Sequence, residues 1–403
     1  MSDVVETIRD FNTGRDPERL QRKYAAMRRD PFVFLRGTCH LFYAQLPEAK
    51  VFAKAPPTWV CGDLHLENFG SYKGDNRLVY FDLNDFDEAA LAPCSWELIR
   101  LLTSVHLAAG SLGLSKAQAR HLCANFLDAY RGALALGKAR WIERDIAQGM
   151  VGDLLNDLRG RLRQHFLDGR TERKGKRRLI RLDGKRALPV TGRQREKVTA
   201  LIGKICAKEA NPGFYQVLDV ARRIAGTGSL GVDRYSILVE GKGSPDGNYF
   251  LDLKEALPSS LVPQLQIEQP AWASEAARVV GVQQRMQAIS PAFLRAVTMG
   301  KKSYVLRGLQ PTEDRVALAS WNGKLERLEG VLGAMGRLTA WSQLRSSGRQ
   351  GSATADTLIA FAGKRRWPGQ LLELAETCAN QTRRDWKAYA KAYDQGAFPV
   401  DAA

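Results

Sequence analysis

Between Trp59 and Glu88 the chain reads WVCGDLHLENFGSYKGDNRLVYFDLNDFDE, a stretch in which polar residues recur at short intervals between brief apolar runs. Asp63 and Asn68 stand five residues apart just behind one such run. Two further runs, Phe69–Tyr72 and Leu78–Phe81, flank the turn Lys73–Arg77 and predict a hairpin. The second run ends in Asp82, Asp85 and Asp87. Carboxylates and a carboxamide at strand ends are the hard oxygen donors that Mg²⁺ takes, with waters and phosphate oxygens in its other positions. Asn68, Asp82 and Asp85 are therefore the candidate metal ligands, and Asp63 is left to orient or deprotonate a substrate hydroxyl. Strand alternation favours Asp82; the frame Asn84-Asp85-Phe86 favours Asp85. Asp, Asn and Gly also form turns, so a charged loop between hairpins is the plain alternative.

These residues carry a resemblance. Asp63-Leu64-His65-Leu66-Glu67-Asn68 resembles the D-L-K-x-x-N catalytic loop of protein kinases. Gly62-Asp63-Leu64-His65 is similar to the H-G-D-L-H loop of aminoglycoside and choline phosphotransferases, with Cys61 where those loops carry His. Phe81–Asp87 stands where that superfamily has its metal-binding Asp. From Pro31–Gly37 to the C-terminal helix the chain resembles a bacterial domain-of-unknown-function family placed among kinase-like folds. The resemblance implies ATP and Mg²⁺ as cofactors and Asp63, His65 and Asn68 as the catalytic-loop residues. It also makes Glu97 the counterpart of an Asp that braces this loop, although an exposed first-turn Glu reads equally well. Arg36 is open between a phosphate contact and an anchor for a carboxylate of the loop.

A second group of motifs lies far downstream. Tyr215–Ile224 and Val232–Glu240 read as strands around Gly226-Thr227-Gly228-Ser229-Leu230-Gly231, and Tyr249–Leu253 is a third strand ending in Lys254. A lone GxGxxG is weak, and a Rossmann turn would need a helix after the glycines. Here a strand follows, and then a Lys at a strand end, an order that resembles the kinase glycine-rich loop and its phosphate-pairing Lys. Gly226, Thr227, Gly228, Ser229, Gly231 and Lys254 are the candidate nucleotide-binding residues. Ala273–Gln287 predicts a helix whose Glu275, with Glu268 in reserve, would hold the Lys as in kinases. Ser303–Gln310 is a strand expected to supply the hinge against which adenine stacks.

Helices are expected from Pro17 to about residue 30, from Ser95 to Gly110, from Ser115, over about Ala139–His165, and through Gly336–Leu344, Thr354–Gly363 and Leu371–Tyr393. Leu179–Leu182, Asp183-Gly184 and Lys185–Val190 read as a hairpin with a tight turn. No run approaches the ~18 apolar residues of a membrane span. The acidic N-terminus lacks the apolar core of a signal peptide, and six cysteines scattered without CxxC pairing fit reduced thiols. A cytoplasmic protein without a membrane partner is expected. The net charge of +17 attracts anions, and residues 159–197 hold fifteen Lys and Arg against four Asp and Glu. That segment is a candidate for an anionic partner or simply a solvated face.

The fold class expected is α+β, with a small antiparallel-sheet lobe and a mainly helical lobe, kinase-like in circularly permuted order because catalytic loop precedes glycine loop. The segments are 1–58 (N-terminal helical), 59–200 (catalytic loop, metal site and basic hairpin), 201–312 (nucleotide-binding sheet) and 313–403 (C-terminal helices). The activity expected is Mg²⁺-dependent phosphoryl transfer from ATP to a hydroxyl or amine of a small-molecule or protein acceptor. Nucleotide binding without turnover, AMP transfer and nucleic-acid binding through the basic segment are the rival readings.

Overall fold

Aspartate and proline punctuate the first fifty residues into helices. The computed structural model describes residues 3–310 and 314–399, so the boundary expected at 312/313 lies outside the described residues. Asp3 caps α1 (Val4–Phe11), and Asp16 caps α2 (Pro17–Arg29) by accepting from Arg19 N. Asp30 accepts from the amides of Phe32 and Val33 to start α3 (Pro31–Gly37). Pro17 and Pro31 occupy first-turn positions where no amide hydrogen is needed. Two short helices follow, α4 (Cys39–Ala44) and α5 (Lys50–Ala53).

β1 (Pro57–Val60) leads into the Asp63 loop, and β2 (Phe69–Lys73) and β3 (Val79–Leu83) form the expected antiparallel hairpin. β4 (Ala90–Pro93) returns to pair with β1. α6 (Ser95–Ala108) is buried along its whole length, and α7 (Lys116–Ala135) begins with a capping box between Ser115 and Gln118.

The long helix expected over 139–165 does not form as one piece. Residues 139–148 are instead drawn to the free edge of β3, where Phe81 N donates to Ile142 O at 2.9 Å. The helical part is α8 (Gly149–Asp157) and α9 (Arg163–Asp168). The basic hairpin is also displaced. β5 (Thr171–Lys174) pairs with β6 (Arg177–Ile180), while Asp183 Oδ1 accepts from the amides of Lys185, Arg186 and Ala187. That side-chain turn delivers β7 (Ala187–Leu188) to a larger sheet.

α10 (Gly192–Cys206), β8 (Val217–Arg223), β9 (Arg234–Val239) and β10 (Tyr249–Glu255) follow. Beyond them come α11 (Glu275–Met286), capped by Ser274, then β11 (Arg295–Met299) and β12 (Lys302–Gly308). These strands make a six-stranded antiparallel sheet in the order β11-β12-β10-β9-β8-β7. Alternation divides it: Ile237, Val239, Leu251, Leu253 and Leu306 pack with Val198 and Ile202 of α10. Leu238 and Phe250 point to the other face, with Leu167, Ile180 and Ala187.

α12 (Leu325–Ser346), α13 (Ala355–Gly363) and α14 (Trp367–Asp394) complete the chain. They share the largest core with α6, α7 and the β1–β4 region, and Tyr389 of α14 closes a smaller one with Tyr24 and Phe34. The fold is α+β. No helix among the described residues is long and apolar enough to cross a membrane.

Candidate active site

The Cys61–Asn68 loop is held by a set of buried polar groups, most of them on one stripe of α6. Glu97, Arg100 and Ser104 lie at i, i+3 and i+7, hence on one side of the helix. Glu97 Oε2 accepts from Cys61 N at 3.0 Å, Ser104 Oγ from Leu66 N at 3.2 Å, and Arg100 Nε donates to Asp63 Oδ1 at 2.6 Å. Tyr43 OH donates to Gly62 O at 2.6 Å. Gly62 itself has φ +88°, and a Cβ there would fall 2.1 Å from Glu88 O, so the turn into Asp63 admits no side chain. Glu97 is thus the brace, fully buried, with Gln343 of α12 donating to its second oxygen at 2.5 Å. Burial pushes its carboxyl up to about 7.

Asp63 keeps 19% of its side-chain surface exposed although Arg100 beneath it has none. Burial raises its carboxyl to about 6, with Glu88 and Asp85 adding to the rise and Arg100 opposing it. Arg100 engages Asp63 through Oδ1, and Asp63 lines the cleft. Asn68 Nδ2 donates to Asp63 O, so its oxygen is the end left for a cation. His65, expected among the catalytic residues, is buried; its Nδ1 accepts from Glu67 N at 3.1 Å, and burial lowers its pKa well below the usual value. It is a neutral group that closes the loop on itself. Arg36 pairs with Glu67 of the loop at 2.9 Å, beside Arg315 at 2.7 Å.

The two candidate metal aspartates separate. Asp82 is 1% exposed and points away from the cleft, accepting from Leu83 N at 2.9 Å and Ala288 N at 3.2 Å and pairing with Arg345 of α12. It ties β3 to the end of α11 and to α12, so the metal reading of Asp82 is corrected. Asp85, three residues on, lines the cleft. Burial alone would raise its pKa, but Lys254, Arg307, Arg234 and Arg315 bring it below the ordinary value, so it is held ionised.

Across the cleft, Gly226, Thr227, Gly228 and Ser229 form the β8–β9 turn and line the same space. Gly231 belongs to that turn, but its amide neighbourhood faces α2: Asp16 N donates to Gly231 O at 2.8 Å. The turn is strapped by its carbonyls to the N-terminal helices. Arg15 Nη1 donates to Gly228 O at 2.8 Å, Lys23 Nζ to the same oxygen at 3.1 Å, and Arg19 Nη1 to Val232 O at 2.9 Å. A Cβ on Gly228 would lie 2.9 Å from Arg36 O, which explains a glycine at this crossing.

The alternation that turns Leu251 and Leu253 toward α10 puts Asp252 and Lys254 on the cleft side of β10. Lys254 pairs with Asp87. Its expected partner Glu275 is elsewhere, paired with Arg278 on its own helix at 2.7 Å, and Glu268 is exposed. What α11 sends toward the site is Arg278, which donates to Ala89 O at 2.5 Å and Asp87 O at 3.0 Å. The expected hinge strand also departs: among the described residues none of Ser303–Gln310 lines the cleft.

Asp63, Asn68, Asp85, Asp87, Gly226–Ser229 and Lys254 thus share one cleft. Four cations (Arg15, Arg36, Lys254, Arg315) face five carboxylates (Asp63, Asp85, Asp87, Glu88, Glu255) there. Such a cleft takes a polyphosphate only with a cation to offset its own carboxylates. No group of three or more His, Cys, Asp or Glu side chains able to hold a metal forms among the described residues. Asp85 and the Asn68 oxygen are the oxygen donors at the cleft that could hold a hard cation such as Mg²⁺, provided waters and phosphate oxygens fill its other positions. Arg15 and Arg315 had no signal in the sequence, because each reaches the site from a segment remote from both motifs. Arg100 had one: a charged residue three positions from Glu97 in a mainly apolar helix.

Residues 15–392 match the model of a family described as an uncharacterized protein conserved in bacteria, DUF2252. The chain belongs to this family. The DUF2252 match takes in the cleft residues from Arg15 to Arg315, while Phe11 of the lining precedes it. No curated protein and no solved structure matches the chain.

Proposed function

We propose that the protein is an ATP- and Mg²⁺-dependent phosphotransferase of kinase-like, circularly permuted architecture. One observation carries the reading: Asp63, Asn68, Asp85, the Gly226–Ser229 turn and Lys254 line one cleft although about 190 residues separate Asp63 from Lys254. The likeness of Asp63–Asn68 to a phosphotransferase catalytic loop supports it. Mg²⁺, when bound, would neutralise negative charge that develops on the phosphates in transfer. Asp85 and Asn68 would hold it. Lys254 supplies a point charge to the phosphates, and the glycine turn lets backbone amides approach them. Asp63, with a carboxyl near 6, is ionised at neutral pH and positions or deprotonates the acceptor hydroxyl or amine.

Nucleotide binding without turnover is favoured by a different observation, the seating of Asp63 on Arg100 at 2.5 Å. Incubation with γ-labelled and α-labelled ATP, with metabolite mixtures and the protein itself as acceptors, separates the readings. Transfer of the γ label is expected. Transfer of the α label would replace phosphotransfer with AMP transfer. Label retained in ATP with every acceptor, while ATP still binds, would leave the binding role alone.

A further inference from the structure

The basic segment folds into a braced two-stranded ribbon. β5 and β6 join through Gly175 (φ +62°) and Lys176, with Thr171 opposite Ile180, Arg173 opposite Arg178 and Lys174 opposite Arg177. Thr171, Arg178 and Ile180 are buried against the protein, while every residue from Glu172 to Arg177 is exposed. The root is fixed at several points. Arg178, 1% exposed, donates to Asp168 Oδ1 at 2.6 Å, Asp246 Oδ1 at 2.6 Å and Pro245 O at 2.8 Å, which ties the ribbon to α9 and to the β9–β10 loop. Thr171 Oγ1 donates to Leu167 O at 2.8 Å, and Ile180 N to Asp219 Oδ2 at 2.8 Å. The tip stands on that base.

The ribbon's cations divide into two sets. Arg178 and Arg173 serve the fold: Arg178 lies between Asp168 and Asp246, and Arg173 reaches Asp246 at 3.9 Å and Gly175 O at 3.2 Å. Lys174, Lys176 and Arg177 make no ion pair and no side-chain hydrogen bond among the described residues. Lys174 and Arg177 face each other directly, and like charges so placed weaken a ribbon. Glu172, the carboxylate within the ribbon, pairs with neither of them. The fold therefore gains nothing from these three charges, and an anion spanning the tip would relieve their repulsion. Residues 172–177 hold no aromatic and no large apolar side chain, so the tip offers nothing to stack on unpaired bases and nothing to enter a lipid interface. What it offers is positive charge on a two-stranded ribbon, a shape that the major groove of a duplex admits between its phosphate backbones.

We propose that the β5–β6 tip binds the phosphate backbone of a nucleic-acid duplex through Lys174, Lys176 and Arg177. The contact is with phosphates and not with base edges, so binding is indifferent to sequence and steep in salt. The assignment is independent of the phosphotransfer reading: it invokes neither ATP nor a metal, and the tip does not line the cleft.

Fluorescence anisotropy of the full chain with a labelled DNA duplex and with an RNA duplex of the same sequence, in EDTA, between about 50 and about 200 mM salt, tests it. Binding is expected, and the tighter of the two duplexes names the source of the backbone. Lys174→Gln/Lys176→Gln/Arg177→Gln is expected to lose about tenfold or more in affinity at the lower salt and to flatten the logarithmic salt slope by roughly two to three. Lys116→Gln/Lys364→Gln/Lys387→Gln removes the same charge from exposed positions in the helical region and should bind as the native chain does. The melting temperature of the tip variant is expected to match or exceed that of the native chain, because a like-charge pair is removed. A lower one would assign the three cations to the fold and overturn the proposal. So would the absence of duplex binding at the lower salt, or an equal loss in both triple variants, which marks a diffuse cationic surface. Tighter binding of the separated strands, of polyglutamate or of phosphatidylglycerol vesicles than of either duplex would overturn it in favour of that partner.

Discussion

Asp63 is a carboxylate placed between opposing influences. Burial with Asp85 and Glu88 nearby raises its pKa to about 6, while Arg100 keeps it from going higher. Two consequences have definite signs. A base must be ionised, so turnover on the proposed reading is expected to rise through about pH 6 and level off above it. Because the folded pKa is above the unfolded one, the native state binds the proton more tightly, and the stability this group contributes falls as pH rises from about 4 to about 6. A kcat/KM profile would show the acid limb; Asp63→Asn should lower turnover by ~10²–10⁴-fold and remove that limb. A limb that persists unchanged in the variant belongs to another group. At this scale the sequence was partly legible. Asp63 and Asn68 stand out by spacing, whereas the choice between Asp82 and Asp85 depends on Arg345 and Ala288, over 200 residues away, which claim Asp82.

At the scale of elements, the glycine turn is held from outside its own sheet. Arg15 and Lys23 both donate to Gly228 O, and burial lowers the pKa of Lys23 well below that of a free lysine. Arg15→Met/Lys23→Met keeps unbranched stems and removes both donors. Amides of 226–231 are expected to exchange about tenfold faster or more, with α7 and α12 unaffected, as measured by hydrogen exchange. Unchanged exchange across the turn would mean the sheet alone fixes it. The strands around this turn were legible because Val and Ile alternate within them. β5 was not: Thr-Glu-Arg-Lys carries no apolar alternation, so the hairpin was expected one turn later, at Asp183-Gly184. Residues 139–148 read as helix because nothing local reveals that β3 has an unpaired edge to satisfy. α11 was expected and is present, but the residue it contributes, Arg278, is settled by the carbonyls of Asp87 and Ala89, a tertiary fact.

For the whole molecule, the central claim is that two motif regions distant in sequence make one nucleotide site. Their convergence on a cleft is geometric; its use for ATP is the proposal. The helical core around α6, α7 and α12 fixes Asp63 through a chain of buried bonds from Tyr130 to Gln343 to Glu97 to Cys61 N. The sheet presents Lys254 from the other side. Lys254→Met keeps an unbranched stem and frees Asp87, which is 35% exposed and tolerates losing its partner. The most direct test is the melting temperature with millimolar ATP, with and without Mg²⁺, for the native chain and for Lys254→Met. The account predicts a rise by mass action in the native chain that requires Mg²⁺ and shrinks or vanishes in the variant. A native chain whose melting temperature is unmoved by ATP and Mg²⁺, or a variant that responds as fully as the native chain, would contradict it.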